Sequence, residues 1–222
     1  MKKSTFFTFL FLTIILIACQ SKPINNAVSR ENKPQNKSVK IEDDFSKSDI
    51  LVRDFVYHQG NESPDYEIEL TKQYVDTVEH YFSNKTIKDV FVITIPKGNF
   101  SNTTSKVQVL NKQGKILFER SFESFYLFNG YDVMNLKNAE ELKAYFIVQI
   151  KDLFGETKFE KANKSNDSYI SSMKPEDFTD YESYLSCKKN NLWMFTLSLG
   201  EEDNTTFGFN SQKGVVELMS CC

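Results

Sequence analysis

The sequence is poor in the side chains that mark well-known catalytic sites. Its 222 residues hold two histidines, His58 and His80, and four cysteines. The P-loop, the G-x-S-x-G elbow, the H-E-x-x-H helix and the G-x-G-x-x-G turn are all missing from the sequence. Their absence excludes the commonest nucleotide-binding, α/β-hydrolase and zinc-protease sites. It does not exclude a hydrolase whose site has an unfamiliar pattern.

Basic residues are not in excess, and arginine is especially scarce. Lys and Arg number 27 against 30 Asp and Glu, a formal charge of −3, and only Arg30, Arg53 and Arg120 are arginine. Removal of residues 1–18 would also remove Lys2 and Lys3 and lower the charge to about −5. A nucleic-acid-binding domain normally carries a basic face. We therefore expect no nucleic-acid partner.

One uncharged hydrophobic run opens the chain, but it is short. Lys2 and Lys3 precede thirteen residues, Phe6–Ala18, that carry no charge. A helix of that length spans roughly 20 Å, whereas the hydrocarbon core of a bilayer is about 30 Å thick. The run is too short to span a membrane comfortably. A positive start followed by a short apolar region is typical of a secretory signal peptide.

The signal ends in a cysteine instead of the usual small-residue cleavage site. The residues Leu16-Ile17-Ala18-Cys19 resemble the lipobox of bacterial lipoproteins. That resemblance implies cleavage before Cys19 and acylation of Cys19, which would anchor the protein in the membrane. Two or more acyl chains are enough for stable anchoring. In Gram-negative lipoproteins, Asp after the cysteine favours inner-membrane retention. Gln20 in that position implies the outer membrane, facing the periplasm.

Composition divides the chain into three parts. Residues 1–18 form the signal peptide, residues 19–48 a flexible linker behind the acylated cysteine, and residues 49–222 a single domain. Asn, Lys, Ser, Gln, Glu and Pro dominate the linker, which holds too few apolar residues to order itself. A tether of about 30 residues has an r.m.s. span near 30 Å, enough to lift the domain from the headgroups.

The pattern of the domain predicts an α+β fold with a mainly antiparallel sheet and about three helices. Helices are expected over 63–82, 138–155 and 174–190. Strands are expected over 89–96, within 124–134, which also holds an Asn129-Gly130 turn, in a hairpin over 106–122, and in a C-terminal three-stranded meander over 192–199, 205–210 and 214–220. Ile50–His58 fits either a strand or a short helix. The sequence of the folded domain resembles no family that we recognise.

Three cysteines remain after Cys19, and an exported chain meets an oxidising compartment. A disulfide from Cys187 to Cys221 or Cys222 is favoured. A metal site that joins Cys187, one of the last two cysteines and His58 or His80 is an alternative, and buried free thiols are another. His58 precedes a loop and is a candidate general base, whereas His80 is expected on the solvated side of the first helix.

Aromatic residues crowd one segment. Phe122, Phe125, Tyr126, Phe128 and Tyr131 lie within ten residues. They can fill the core, or they can form a patch that binds a partner or stacks on carbohydrate, since aromatic residues are enriched at interfaces.

The sequence as a whole favours a lipid-anchored cell-envelope protein whose domain is a non-catalytic binding or interaction module. Its expected partners are the membrane, through Cys19, and an envelope protein or ligand that the sequence does not identify. We expect no cofactor. The alternatives are a periplasmic hydrolase with an unrecognised site and a metal or thiol protein that uses Cys187, Cys221 and Cys222.

Overall fold

The computed structural model describes residues 45–60, 62–128, 130–163, 169–200 and 203–221. These described residues belong to one compact unit. Its strands are β1 (Ile50–Val56), β2 (Asp65–Leu70), β3 (Tyr74–Tyr81), β4 (Lys88–Ile95), β5 (Gly98–Asn99), β6 (Thr104–Leu110), β7 (Ile116–Glu123), β8 (Phe159–Lys161), β9 (Trp193–Leu199), β10 (Asp203–Asn210) and β11 (Gly214–Cys221). The α-helices are α1 (Ala139–Asp152), α2 (Tyr169–Ser172) and α3 (Tyr181–Asn190). The 3₁₀ helices are Lys47–Asp49, Phe100–Asn102, Ser124–Phe128, Tyr131–Asn135, Glu156–Lys158 and Pro175–Asp177.

The described strands form three antiparallel sheets. Sheet A has the order β1-β2-β5, sheet B the order β3-β4-β6-β7, and sheet C the order β11-β10-β9-β8. Every pair of neighbouring strands is antiparallel. Sheets of this kind can bury one face and leave the other partly solvated.

Sheets B and C pack face to face through aromatic rings. Phe91 on β4 lies 4.9 Å, centroid to centroid, from both Phe159 on β8 and Phe195 on β9. At the opposite side of the sheets, Phe118 on β7 lies 4.6 Å from Phe207 on β10. β4 is suited to this position because every second residue of the strand is fully buried. The predicted strand over 89–96 and the predicted hairpin over 106–122 are both confirmed, with β4 between β3 and β6.

Helix α1 covers sheet A and completes the main core. Asn138 accepts a hydrogen bond from the Glu141 backbone N–H at 3.0 Å, and the Glu141 carboxylate accepts one from the Lys137 N–H at 2.7 Å. These bonds satisfy donors that a helix start otherwise leaves unpaired. Leu142, Phe146 and Ile150 recur every fourth residue on the buried face. The predicted helix over 138–155 is confirmed.

Helix α3 covers the other face of sheet C. Tyr184 and Cys187 of α3 pack with Met194, Leu218 and Met219 in a second, smaller hydrophobic cluster. Sheet C is therefore buried on both faces, by sheet B and by α3.

The predicted α+β class is wrong, because strands dominate the described residues and α1 and α3 are the only α-helices among them longer than four residues. The predicted helix over 63–82 is two strands, β2 and β3. Acids at 65, 67 and 69 alternate with Tyr66, Ile68 and Leu70, and this period of two belongs to a strand. Pro64 and its neighbouring acids imitate a helix start and misled the prediction.

Two further predictions need correction. The predicted helix over 174–190 is shorter, a 3₁₀ turn at Pro175–Asp177 followed by α3. The C-terminal meander has four strands, because β8 pairs with β9 and extends the three that were expected. β8 has only three residues, too few to give a visible alternation.

Within the described ranges, none of the helices has the length and apolar character needed to cross a bilayer.

Asp180 ties the start of α3 to the β10–β11 turn. Its carboxylate accepts hydrogen bonds from the Ser183 N–H (3.0 Å), the Ser183 hydroxyl (2.9 Å) and the Lys213 ammonium (2.6 Å). The bond from Lys213 holds the pKa of Asp180 below its usual value of 3.8, and the bonds from Ser183 act in the same direction. The ionised Asp180 carboxylate therefore stabilises the fold at any pH above the usual pKa of 3.8. This stabilisation is lost as the pH falls through the lowered pKa.

We predict that Asp180→Ala lowers the free energy of unfolding at pH 7 by about 1–2 kcal/mol, because it removes the helix cap. Asp180→Asn is the matched control, since it keeps a capping oxygen and loses only the charge. Its loss at pH 7 should be smaller, and it should shrink further as the pH is lowered below 4. Urea denaturation across this pH range measures both effects. Equal stability of Asp180→Ala and the wild type would contradict this role.

Candidate functional site

A cleft of about 310 Å³ opens between the start of β2 in sheet A and the segment that follows β7. We call it the aromatic cleft. Its lining combines aromatic, aliphatic and small residues: Ser63, Pro64, Tyr66, Phe125, Phe128, Gly130, Tyr131, Val133 and Met134. Phe125, Phe128, Gly130 and Tyr131 belong to the aromatic segment that the sequence singles out, and Val133 and Met134 follow it directly. The volume lies at the small end of the range of ligand sites, about 300–1,000 Å³.

The strand predicted within 124–134 is wrong, because the described residues there form 3₁₀ helices. Ser124–Phe128 and Tyr131–Asn135 are 3₁₀ helices. In the first of them Ser124, Leu127 and Phe128 are buried, while Phe125 and Tyr126 are exposed. A strand would have alternated these rings between two faces.

The floor of the cleft belongs to the hydrophobic core. Phe128 is 4% exposed and stacks on Phe146 of α1 at 5.2 Å, with the ring planes 17° apart. Phe100 lies 5.5 Å from the Phe128 ring on another side. A ring held by several core neighbours has little freedom to move. The floor is therefore preformed.

A buried hydroxyl network fixes where the segment leaves sheet B. Ser124 is fully buried, and its hydroxyl lies 2.8 Å from that of Ser105 on β6 and accepts a bond from the Thr103 hydroxyl at 2.9 Å. The Ser124 N–H donates to the Thr103 carbonyl at 3.0 Å. Buried polar groups that are satisfied in this way specify a single arrangement of the chain.

The rim of the cleft is aromatic and exposed. Phe125 is 45% exposed and Tyr131 is 59% exposed, while Tyr126, beside the cleft, is 46% exposed. Tyr66 lies half-buried against Phe125, with centroids 6.2 Å apart and planes 23° apart. Burial raises the pKa of Tyr66 to about 12, so its hydroxyl stays protonated and can donate a hydrogen bond at neutral pH.

The chain segments around the cleft are acidic. Residues 62–70 and 121–136 contain six carboxylates and no lysine or arginine. Two of these carboxylates have basic partners on or after β1: Glu69 pairs with Arg53 at 3.2 Å, and Asp65 with His58 at 3.0 Å. None of the six carboxylates lines the cleft, and on β2 those of Asp65, Glu67 and Glu69 lie on the face opposite Tyr66.

The two histidines lie in different surroundings. His58 follows β1, and its Nε2 contacts the exposed carboxylate of Asp65. In the described part of the chain, no serine or cysteine side chain is in hydrogen-bond contact with the His58 ring. An acid and a base therefore meet here without a nucleophile beside them.

His80 is on β3, not on the solvated side of a helix as predicted. Its ring stacks on Phe159 at 4.0 Å and meets Trp193 edge-on at 4.5 Å, where sheet B meets sheet C. Burial lowers the pKa of His80, and the nearby Lys88 ammonium lowers it further. The neutral ring therefore acts as an aromatic packing group at this seam.

The cysteines that the sequence grouped are not all brought together. Cys187 is a buried free thiol that donates a 3.4 Å hydrogen bond to the Phe209 carbonyl, beside Gly208. Cys221 ends β11 opposite Asn204, four residues from Gly208 along β10. Four strand residues span about 13 Å, so Cys221 lies about that far along β10 from the residue that Cys187 contacts. A disulfide needs Cα atoms within about 7 Å. Cys222 lies outside the described residues, so its pairing stays a prediction.

No group of three His, Cys, Asp or Glu side chains that could hold a metal ion occurs within the described ranges. A metal site that includes Cys222 stays a prediction for the same reason.

A second cleft, of about 420 Å³, lies between the β3–β4 turn and the end of α3. Several of its polar side chains already have partners within the fold. Ser83 donates to Asp89 at 3.0 Å, Asn84 accepts from the Thr86 N–H at 2.8 Å, and Asn190 donates to the carbonyl of Ser186 at 2.9 Å. These groups serve local turns and the helix end, so the aromatic cleft is the stronger candidate.

The comparisons with known proteins add no relative. No family model matches the chain, and neither does any curated protein or solved structure. The candidate site therefore depends on its geometry alone.

Sequence reasoning found the aromatic segment but missed the opposite wall. The predicted helix over 63–82 contains Pro64 and Tyr66, and nothing in it connects them with the aromatic segment. The alternation of acids with Tyr66, Ile68 and Leu70 was the signal that could have placed Tyr66 on a strand.

We predict that Cys187 does not react with N-ethylmaleimide in the folded chain and reacts fully once the chain is unfolded without reductant. Burial removes access and raises the pKa of the thiol, so little reactive thiolate forms. Peptide mass spectrometry after labelling measures the reaction at this residue. A Cys187 that stays unlabelled in the unfolded chain, with a loss of two hydrogens, would instead show a disulfide.

Proposed function

We propose that the protein is a lipid-anchored lipoprotein of the bacterial envelope, most simply of the outer membrane facing the periplasm. Its domain is a non-catalytic binding module that takes a partner at the aromatic cleft. The observation that carries the binding role is the group of exposed aromatic rings around a cleft whose floor is locked into the core.

Leaving aromatic rings exposed to water forgoes the free energy that their burial would supply. Full burial of a Phe side chain is worth about 1.5–3 kcal/mol, and Phe125, Tyr126 and Tyr131 are each about half exposed. Grouped exposed apolar residues mark interaction sites on soluble domains, whereas isolated ones are ordinary. Aromatic residues are also the commonest anchors in binding interfaces.

The arrangement of the cleft suits binding more than chemistry. A partner that meets a preformed floor loses less conformational entropy than one that must order a loop. The titratable groups that could catalyse a reaction are elsewhere or already engaged: His80 packs at a sheet seam, and the Cys187 thiol is buried. These contacts favour the binding role over the hydrolase and thiol alternatives.

The anchor supports the same role. Acylation of Cys19 would hold the domain near the membrane, and the polar residues 20–44 would give it reach. A tethered module has a raised effective concentration for partners at the same surface.

Site-specific photo-cross-linking in cells tests this proposal. A photoreactive phenylalanine analogue is placed at Phe125 or Tyr131 and, as controls, at Ile116 and Val148, which are 49% and 62% exposed on other elements. We predict a discrete adduct from the two cleft positions and none from the controls, because only the cleft holds a partner.

The same cells test the anchor. Metabolic labelling with a tagged fatty acid should label the wild type, and Cys19→Ser should abolish this labelling. Equal cross-linking at all four positions, or none at the cleft, would contradict the binding role. Equal fatty-acid labelling of Cys19→Ser and the wild type would contradict the anchor alone.

A further inference from the structure

We propose that the second cleft binds a phosphomonoester group, carried either by a small soluble molecule or by a lipid headgroup. Three elements line this cleft: the β3–β4 turn, the end of α3, and the end of β10 with the turn that follows it. It shares no lining residue with the aromatic cleft. The site is therefore independent of the binding role proposed above.

A cation in the wall of the second cleft is the first observation. Lys85 is the charged side chain of the lining, and in the described part of the chain no carboxylate pairs with its ammonium. Other lysines of these elements are engaged within the fold: Lys88 over the Tyr81 ring, Lys188 over the Tyr184 ring, and Lys213 with Asp180. An uncompensated cation in a cleft attracts an anionic ligand.

Uncommitted hydrogen-bond donors are the second observation. The side-chain oxygen of Asn84 accepts three bonds within its own turn, from the Thr86 N–H at 2.8 Å, the Thr86 hydroxyl at 3.0 Å and the Ile87 N–H at 3.2 Å. Its NH₂ group makes no bond to the described residues and is left to donate. The hydroxyls of Ser186 and Ser211 likewise donate to no described group. Oxyanion oxygens accept hydrogen bonds, so this lining matches them.

A buried carboxylate beneath the β3–β4 turn opposes anion binding but is well compensated. Asp89 is 1% exposed, and its oxygens accept bonds from the Ser83 N–H at 2.7 Å and the Ser83 hydroxyl at 3.0 Å. Bonds of this kind stabilise the carboxylate in place. Its charge is therefore held on the protein side of the turn, away from the solvent side where a ligand would enter.

The end of α3 also opposes an anion, because a helix carries about half a negative charge at its C-terminus. Two exposed lysines outweigh both opposing charges. Lys189 lies three residues after Ser186, on the same face of α3, and adds its charge to that of Lys85. Two positive charges thus stand against one from Asp89 and about half a charge from the helix.

The size and shape of the donor set favour a phosphomonoester over a carboxylate. The donors come from all three elements of the lining, and a phosphomonoester offers three terminal oxygens where a carboxylate offers two. The volume of about 420 Å³ lies within the range of small-molecule sites, about 300–1,000 Å³. Leu192 and Phe209 add an apolar patch on which the organic part of the ester can lie.

Three soluble probes isolate the phosphate group: sn-glycerol 3-phosphate, glycerate, which carries a carboxylate instead, and glycerol, which is neutral. Each is titrated by NMR into the chain from Gln20 to Cys222. Phosphatidylcholine vesicles that contain phosphatidic acid, a phosphomonoester lipid, distinguish the lipid source from the soluble one. Vesicles that contain phosphatidylglycerol instead, a diester, are their control.

We expect sn-glycerol 3-phosphate to shift the resonances of the β3–β4 turn, Ser186 and Ser211. Glycerate should bind about tenfold more weakly, and glycerol should cause no shift. A soluble natural ligand predicts no preference for phosphatidic acid vesicles over phosphatidylglycerol vesicles. A lipid headgroup predicts that the chain binds phosphatidic acid vesicles more tightly than phosphatidylglycerol vesicles.

Two lysine variants test the site. Lys85→Gln keeps most of the side chain and removes its charge, so it should weaken sn-glycerol 3-phosphate about tenfold. Lys97→Gln is the matched control, since Lys97 is also exposed but lies past the opposite end of β4. It should leave the affinity unchanged. Unshifted core resonances would show that both variants are folded.

Absence of shifts at the second cleft with both sn-glycerol 3-phosphate and phosphatidic acid vesicles would overturn the proposal. Equal affinity for sn-glycerol 3-phosphate and glycerol would overturn it too, since the phosphate would then contribute nothing. Equal weakening by Lys85→Gln and Lys97→Gln would show general attraction to a charged surface and no site. None of these results bears on the cross-linking at the aromatic cleft.

Discussion

The packing of sheet B on sheet C through Phe91 is the interaction on which the rest of the structure depends. Phe91 is fully buried and touches rings from β8, β9 and the end of α1, which ties three distant parts of the chain together. Phe146 and Phe128, the floor of the cleft, belong to the same hydrophobic cluster as Phe91. The rigid floor of the binding surface is therefore part of the main core.

The sequence predicted the elements whose local signals agree with their burial. The capping pair Asn138 and Glu141 and the four-residue spacing of α1 gave that helix, and the apolar run of β4 gave a central strand. The prediction of a helix over 63–82 failed, because Pro64 and the neighbouring acids resemble a helix start. Tertiary pairing of β3 with β4 overrides that local preference, and a single sequence does not contain the pairing.

The site was predictable only in part, for a similar reason. A crowd of aromatic residues is visible in a sequence, but its division into core and rim is not, since Phe125 and Phe128 are three residues apart in one 3₁₀ helix and differ in burial. The start of that helix is held by hydroxyl contacts of Ser124 with Thr103 and Ser105, which lie about twenty residues away along the chain. Tyr66 lies still farther away along the chain, on β2 of sheet A. Proximity of this kind follows from the fold and not from spacing.

The central claim is that the aromatic segment has two kinds of ring, those that build the core and those that serve a partner. The most direct test is the free energy of unfolding of Phe128→Ala beside that of Phe125→Ala, measured by urea denaturation. The account predicts a loss of about 3–5 kcal/mol for Phe128→Ala, whose ring is buried, and of about 1 kcal/mol or less for Phe125→Ala. An equally large loss for Phe125→Ala would mean that its ring is core filling, and the binding site would lose its basis.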